Sequence, residues 1–142
     1  MKRLIIDCDP GNGIAGANTD DGLALALALA SPSLSVELIT TVTGNTPSAV
    51  GAQVAKDLLQ RLGLNVPVVQ GALQALREDP APWRARLDGV KDATLGELWR
   101  GVRKPQVLAG DGNDAAGGMG QVIGEKPGES NRGARGCRTN RG

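Results

Sequence analysis

Four carboxylates fall within one short stretch: Asp7, Asp9, Asp20 and Asp21. The first two close the apolar run Leu4-Ile5-Ile6 and lead into Pro10-Gly11. A second apolar run, through Ile39, ends in Thr40-Thr41-Val42-Thr43-Gly44-Asn45. Carboxylates this close repel one another unless a proton or a cation offsets the charge. A hard divalent cation with oxygen ligands is the simplest remedy. A carboxylate beside such a cation can take the proton of a water that attacks an electrophile. A plainer reading stands beside this one. Asp-Pro-Gly is a common turn, and acids at a helix start act as caps. The combination of an Asp-x-Asp, a second acidic pair and a polar strand end is more specific than any of the three alone.

The rest of the composition narrows the chemistry. The chain has 142 residues, no His, and a net charge of +1. Without His there is no Ser-His-Asp triad, no His-ligated zinc and no imidazole base. The charge favours neither nucleic acid nor an acidic partner. Cys8 and Cys137 form no Cys-x-x-Cys pair, which fits a reducing compartment. Cys8 lies between two acids, where negative charge disfavours a thiolate, so it reads as strand packing rather than a nucleophile. The first apolar run is too short for a signal peptide, and no run reaches a membrane span, so a cytoplasmic protein is expected. An EF-hand starting at Asp7 is set aside, because Asn12 stands where the tight-turn Gly belongs and Asn18 where the bidentate Glu belongs.

These residues need elements to carry them. Residues 3–8 read as a buried parallel strand with polar residues at its C-terminal end. Residues 12–19 are a Gly/Asn-rich loop. Asp20-Asp21 opens a Leu/Ala-rich helix, expected to be buried on most faces, that stops at Ser31-Pro32. Residues 35–43 are a β-branched second strand. Thr46-Pro47 is the expected cap and first turn of an amphipathic helix on Val50, Val54, Leu58 and Leu62, ending at Gly63. Val66-Pro67-Val68-Val69 is a third strand. The order β-α-β-α-β predicts an α/β fold, a Rossmann-like open parallel sheet with flanking helices and right-handed crossovers. Ligands of such sheets sit outside the carboxyl ends of the strands, where the acids are. Residues 72–108 read as an excursion with one or two short helices, in which Trp83 and Trp99 are helix-anchoring apolar residues. Residues 115–124 are a weak, Gly-rich helix. From Glu125 onward only Ala134 and Cys137 are apolar, and the charge is +3. Residues 1–124 are therefore expected to form the domain, and 125–142 a poorly ordered Gly/Arg-rich tail.

The N-terminal half resembles the inosine-uridine type nucleoside hydrolases. It shares Asp7-Cys8-Asp9-Pro10-Gly11, Asp20-Asp21, Thr40-Thr41-Val42-Thr43-Gly44-Asn45 and Val66-Pro67-Val68-Val69-Gln70-Gly71-Ala72 with their motifs. The resemblance implies calcium-dependent hydrolysis of the N-glycosidic bond of a ribonucleoside. It makes Asp9 the general base and a calcium ligand, and Asp21 the second carboxylate ligand. Asp20 and Asn45 would contact the ribose, and Asp7 would support the site from behind. The transition state of that reaction is oxocarbenium-like, and a carboxylate cluster stabilises its charge. A homo-oligomer is implied for the full-length family.

Three departures accompany the resemblance. The family has one residue between the Gly and the acidic pair, and here there are eight, Asn12 to Thr19. The chain is about half the family's length, so it is expected to be C-terminally truncated and to lack a further aspartate ligand and a base-contacting His. Residues 127–140 read as a degenerate copy of a family strand, with Arg135 where the family offers a carbonyl to calcium. Two other functions compete. A haloacid-dehalogenase-like, magnesium-dependent phosphatase would use Asp7, Asp9 and Thr41, but it leaves Asp20-Asp21 without a role and has Gly11 where Thr or Val is usual. A non-catalytic remnant would bind RNA through Arg132, Arg135, Arg138 and Arg141, with no aromatic interleaved.

Overall fold

The computed structural model describes residues 1–73, 77–79, 81–89, 97, 99–106, 108, 111–125, 127–128 and 130–134. Among the described residues, four parallel strands form one sheet in the order β3-β2-β1-β4. They are β1 (Lys2–Cys8), β2 (Leu34–Thr41), β3 (Val68–Gln70) and β4 (Ser130–Ala134). Among the described residues the helices are α1 (Asp20–Ala30), α2 (Ser48–Leu62), α3 (Ala81–Gly89) and α4 (Ala115–Glu125). The expected open parallel α/β sheet is thus present, and its polar strand ends share one edge.

The strands' alternation feeds two cores, one on each face of the sheet. On one face Cys8, Ile39 and Val68 pack with Leu25 of α1 and Ala52, Ala55 and Leu59 of α2. On the other, Ile5, Leu38 and Val69 meet Ala115, Met119, Val122 and Ile123 of α4. A bulge in β2 sets this division. Leu4 pairs with Val36 but Ile5 pairs with Leu38, so Glu37 is passed over in the register. The bulge keeps Val36 on the α1/α2 side with Ile39 and puts Leu38 on the α4 side.

The helix ends follow their local chemistry. Gly63 takes φ 66°, and the amide of Leu64 reaches back to the carbonyl of Leu59 at 3.0 Å, ending α2 where its sequence predicts. Asp114 starts α4 by accepting the amide of Gly117 at 2.9 Å. Thr46 does not cap α2, contrary to expectation. Its hydroxyl bonds the carbonyl of Pro10 at 3.2 Å, and the amide of Ser48 is accepted instead by the Thr43 hydroxyl at 3.2 Å.

Burial of α1 on most faces is also corrected. Its leucines alternate with period two, and a helix turns about 100° per residue. Leu25 and Leu29 therefore face the sheet, while Leu23 and Leu27 point away, 67% and 75% exposed. α2 carries a second layer of contacts on its polar side. Gln53 brackets Leu108, donating to its carbonyl at 3.1 Å and accepting its amide at 2.6 Å. Asp57 accepts the amide of Gln106 at 3.3 Å, and Lys56 pairs with Asp111. Asp111 in turn accepts the amide of Val68 at 2.7 Å and fixes the start of β3.

Within the expected excursion, α3 is one helix, and Trp83 on it and Trp99 are part-buried. The stretch read as a poorly ordered tail contributes β4 at residues 130–134, paired with β1 from Arg3↔Ser130 to Asp7↔Ala134. Cys137, Arg135, Arg138 and Arg141 lie outside the described residues. No helix among the described residues is long and apolar enough to cross a membrane.

Candidate functional site

β1 delivers Asp7 and Asp9 to the C-terminal edge of the sheet, and α1 brings Asp21 to the same place from its first turn. Asp9 and Asp21 are both buried, 8% and 6% exposed. The amide of Asp9 donates to Oδ2 of Asp21 at 2.7 Å. Oδ2 of Asp9 accepts the backbone amide of Asn45. Burial, and then the neighbouring Asp21 carboxylate, push Asp9 up to about 7, against the pull of the Asn45 amide. The two acids thus adjoin across the eight-residue loop.

Asp7 stands one strand residue behind. It is paired in register with Thr40, whose hydroxyl donates to Oδ1 of Asp7 at 2.7 Å. Burial raises the Asp7 carboxyl, the Thr40 hydrogen bond lowers it in part, and the charge of Asp21 raises it further. Asp20 is exposed at the opening of α1, beside the buried pair but not bonded into it by any contact described. Burial and then the charges of Asp21, Asp7 and Asp9 push the Cys8 thiol up, and Cys8 is buried in the core. It is a packing residue, as its sequence position predicts.

The Thr-Thr-Val-Thr-Gly-Asn segment works as a clasp at the strand ends. The Thr41 hydroxyl bonds the carbonyl of Ser48 at 2.8 Å, and the Ser48 hydroxyl lies 3.3 Å from the carbonyls of Gly71 and Ala72. The amide of Val42 continues the ladder to the carbonyl of Cys8 at 3.1 Å. The Asn45 side chain turns onto the 12–19 loop: Oδ1 accepts the amide of Asn18 at 2.9 Å, and Nδ2 reaches the carbonyls of Asn18 at 3.3 Å and Asp9 at 3.4 Å.

Three participants were not singled out from the sequence. Thr40 could have been found from its place opposite Asp7 in a parallel register, and Ser48 has no such signal. Asn12 is the third. Its Oδ1 is buried, packs against Gly22 next to Asp21, and has no hydrogen-bond partner. Among the described residues, no three of His, Cys, Asp and Glu gather closely enough to hold a metal by themselves. The site's cation-binding potential therefore rests on a carboxylate pair and on neutral oxygens such as that of Asn12.

The family model for inosine-uridine preferring nucleoside hydrolases matches residues 4–140. The pyrimidine-specific ribonucleoside hydrolase RihA of Salmonella typhimurium is 43% identical over 77 residues, which are 54% of this chain and 22% of that protein. RihA of Photobacterium profundum is 40% identical over 79 residues, 55% of this chain and 23% of that one. A solved plant nucleoside hydrolase, the PpNRh1 enzyme, superposes with a TM-score of 0.67 and 28% identity, over 98% of this chain and 41% of its own. An inosine-guanosine nucleoside hydrolase shares the fold with a TM-score of 0.64 at 21% identity, over 94% of this chain and 39% of its own. The chain thus spans about a fifth of the curated relatives' length and two fifths of the solved structures'.

Proposed function

This chain belongs to the inosine-uridine preferring nucleoside hydrolase family, and on that premise we propose that its acidic edge serves calcium-dependent hydrolysis of the N-glycosidic bond of a ribonucleoside. The observation that carries this reading is the buried contact between Asp9 and Asp21 at the carboxyl end of β1. Two carboxylates so placed are poor at ionising together in isolation, and burial first, then the Asp21 carboxylate, push Asp9 up to about 7. A hard cation relieves that conflict, and every donor on offer is oxygen. Asp9, Asp21 and the orphaned Oδ1 of Asn12 would hold it. When bound, calcium supplies a positive charge that acidifies the attacking water.

The chain's own residues do the rest. Asp9, in its ionised form, takes the proton of water. The Asn45 amide on Oδ2 fixes the orientation of that carboxylate. Exposed Asp20 would accept ribose hydroxyls, and Asp7, tied to Thr40, would support the site from behind as the sugar ring becomes cationic. The free, buried Cys8 accords with a reducing, cytoplasmic setting. A haloacid-dehalogenase-like phosphatase is not supported by the family membership, nor by Asp21, which would have no role in it.

Isothermal titration of the chain with calcium tests the reading, together with release of ribose from uridine and inosine. Binding at millimolar calcium or tighter, lost in Asp9→Asn and Asp21→Asn, is the expected result. No heat at millimolar calcium would overturn it.

A further inference from the structure

Resting on that reading of Asp9 and Asp21, we propose that Asn45 is a positioning residue whose side-chain amide clips the 12–19 loop to the end of β1, and thereby holds Asp21 against Asp9. The loop needs such a clip. Among the described residues, its backbone bonds other than the one from the Leu23 amide to the Thr19 carbonyl are two local turns, Ile14 to Gly11 at 3.0 Å and Ala17 to Ile14 at 3.1 Å. Neither ties the loop to the sheet, and a linker of this length leaves the start of α1 free to shift relative to β1.

Asn45 supplies the missing tie. Its amide pairs with both polar backbone groups of Asn18 and also reaches the carbonyl of Asp9. Only a short primary amide can accept from an N–H and donate to two carbonyls at once. Gly11 leaves room for it. A Cβ there would collide with Ala17 and lie 2.6 Å from Nδ2 of Asn45. The hydrogen bonds close into a circuit: Asn18 to the Asn45 side chain, the Asn45 backbone to Oδ2 of Asp9, the Asp9 amide to Oδ2 of Asp21, and three residues of chain back to Asn18. The loop's extra length is thereby absorbed without separating the two acids. The amide of Asn45 is thus committed to backbone groups, which assigns it a role other than the ribose contact its motif implies.

The test is amide hydrogen exchange by nuclear magnetic resonance on the full chain, without metal or nucleoside. In the unmutated chain, a through-bond coupling from the Asn18 amide to the Asn45 side-chain carbonyl is expected; its absence would overturn the proposal without any variant. Asn45→Ala should speed exchange of the Asn18 and Asp9 amides at least tenfold while those of Ile5 and Ile39 hold. Gly11→Ala should do the same by crowding the clip. The near-isosteric Asn45→Asp keeps the acceptor for Asn18 but loses both donations, so it should protect Asn18 better than Asn45→Ala does. Unchanged Asn18 and Asp9 exchange in Asn45→Ala would overturn the clip. These readouts need no calcium, so a chain that binds none refutes the proposed function and leaves this test standing.

Discussion

Asp9 couples the site to the stability of the chain. Its carboxyl titrates at about 7 in the folded state, against an ordinary value of 3.8. Below about pH 4 both folded and unfolded states hold this proton. Between there and pH 7 the folded state keeps a proton that the unfolded state has released, so stability falls as pH rises through that window. Asp7, also raised, acts in the same direction. Asp111 acts in the opposite direction and lower down: burial opposes its ionisation, but Lys56 and the Val68 amide hold it below the ordinary value, so its contribution is lost as pH falls. The metal-free chain is therefore expected to melt at a lower temperature at pH 7.5 than at pH 5, by circular dichroism. Asp9→Asn should remove most of that slope, and a flat profile in the unmutated chain would contradict the raised carboxyl. Cys8 gives a second test at this scale. Buried, with its thiol pushed up, it should resist iodoacetamide for hours at pH 8 in a Cys137→Ser background and react once the chain is unfolded.

At the scale of elements, the separation of two kinds of leucine on α1 is directly measurable. Leu25 is fully buried among Ile39, Ala52 and Val68, so Leu25→Ala should cost about 2–5 kcal/mol. Leu27→Ala, on the outward face, should change stability by no more than about 0.5 kcal/mol in urea titrations. Equal costs would mean that α1 packs differently. Gly71→Ala probes the strand ends. A Cβ there would run into the backbone carbonyl of Thr41, to which the Gly71 amide donates at 2.8 Å, and the expected loss is about 1–3 kcal/mol. The sequence made β1 readable as a short apolar run, β2 as a β-branched one, and α2 from its four-residue repeat. It made the faces of α1 hard to read, because a period-two run of leucines fits no single helical face. The cap of α2 was misread for another reason. Thr46 has the right type and spacing for a cap, but the competing acceptor, the carbonyl of Pro10, is brought near only by the fold.

For the whole molecule, the same division between local and long-range information decides what the site could reveal. The acids were legible because like charges clustered at a strand end demand a partner wherever they occur. That Asp21 would stay beside Asp9 across the 12–19 loop was not legible, because the tie runs through Asn45, 27 residues from Asn18 in the chain. Such a tie matters to the fold as a whole if a cation completes it. A ligand that binds the folded chain and not the unfolded one stabilises the folded chain by mass action. Unfolding scatters Asp9 and Asp21, so calcium should be such a ligand. At a hundredfold excess over its dissociation constant the gain is about 2.7 kcal/mol, which for a domain of this size raises Tm by roughly 8 °C. The shift should be largest above pH 7, where Asp9 gives up its proton most readily, and should vanish in Asp9→Asn and in Asp21→Asn. Magnesium at the same concentration should shift Tm less, since its tighter octahedral geometry and reluctance to shed water suit a shared carboxylate pair poorly. Thermal melts across a calcium series at pH 8 measure this, and a Tm that ignores calcium while the Asn18 amide remains protected would show that the clip serves the fold alone.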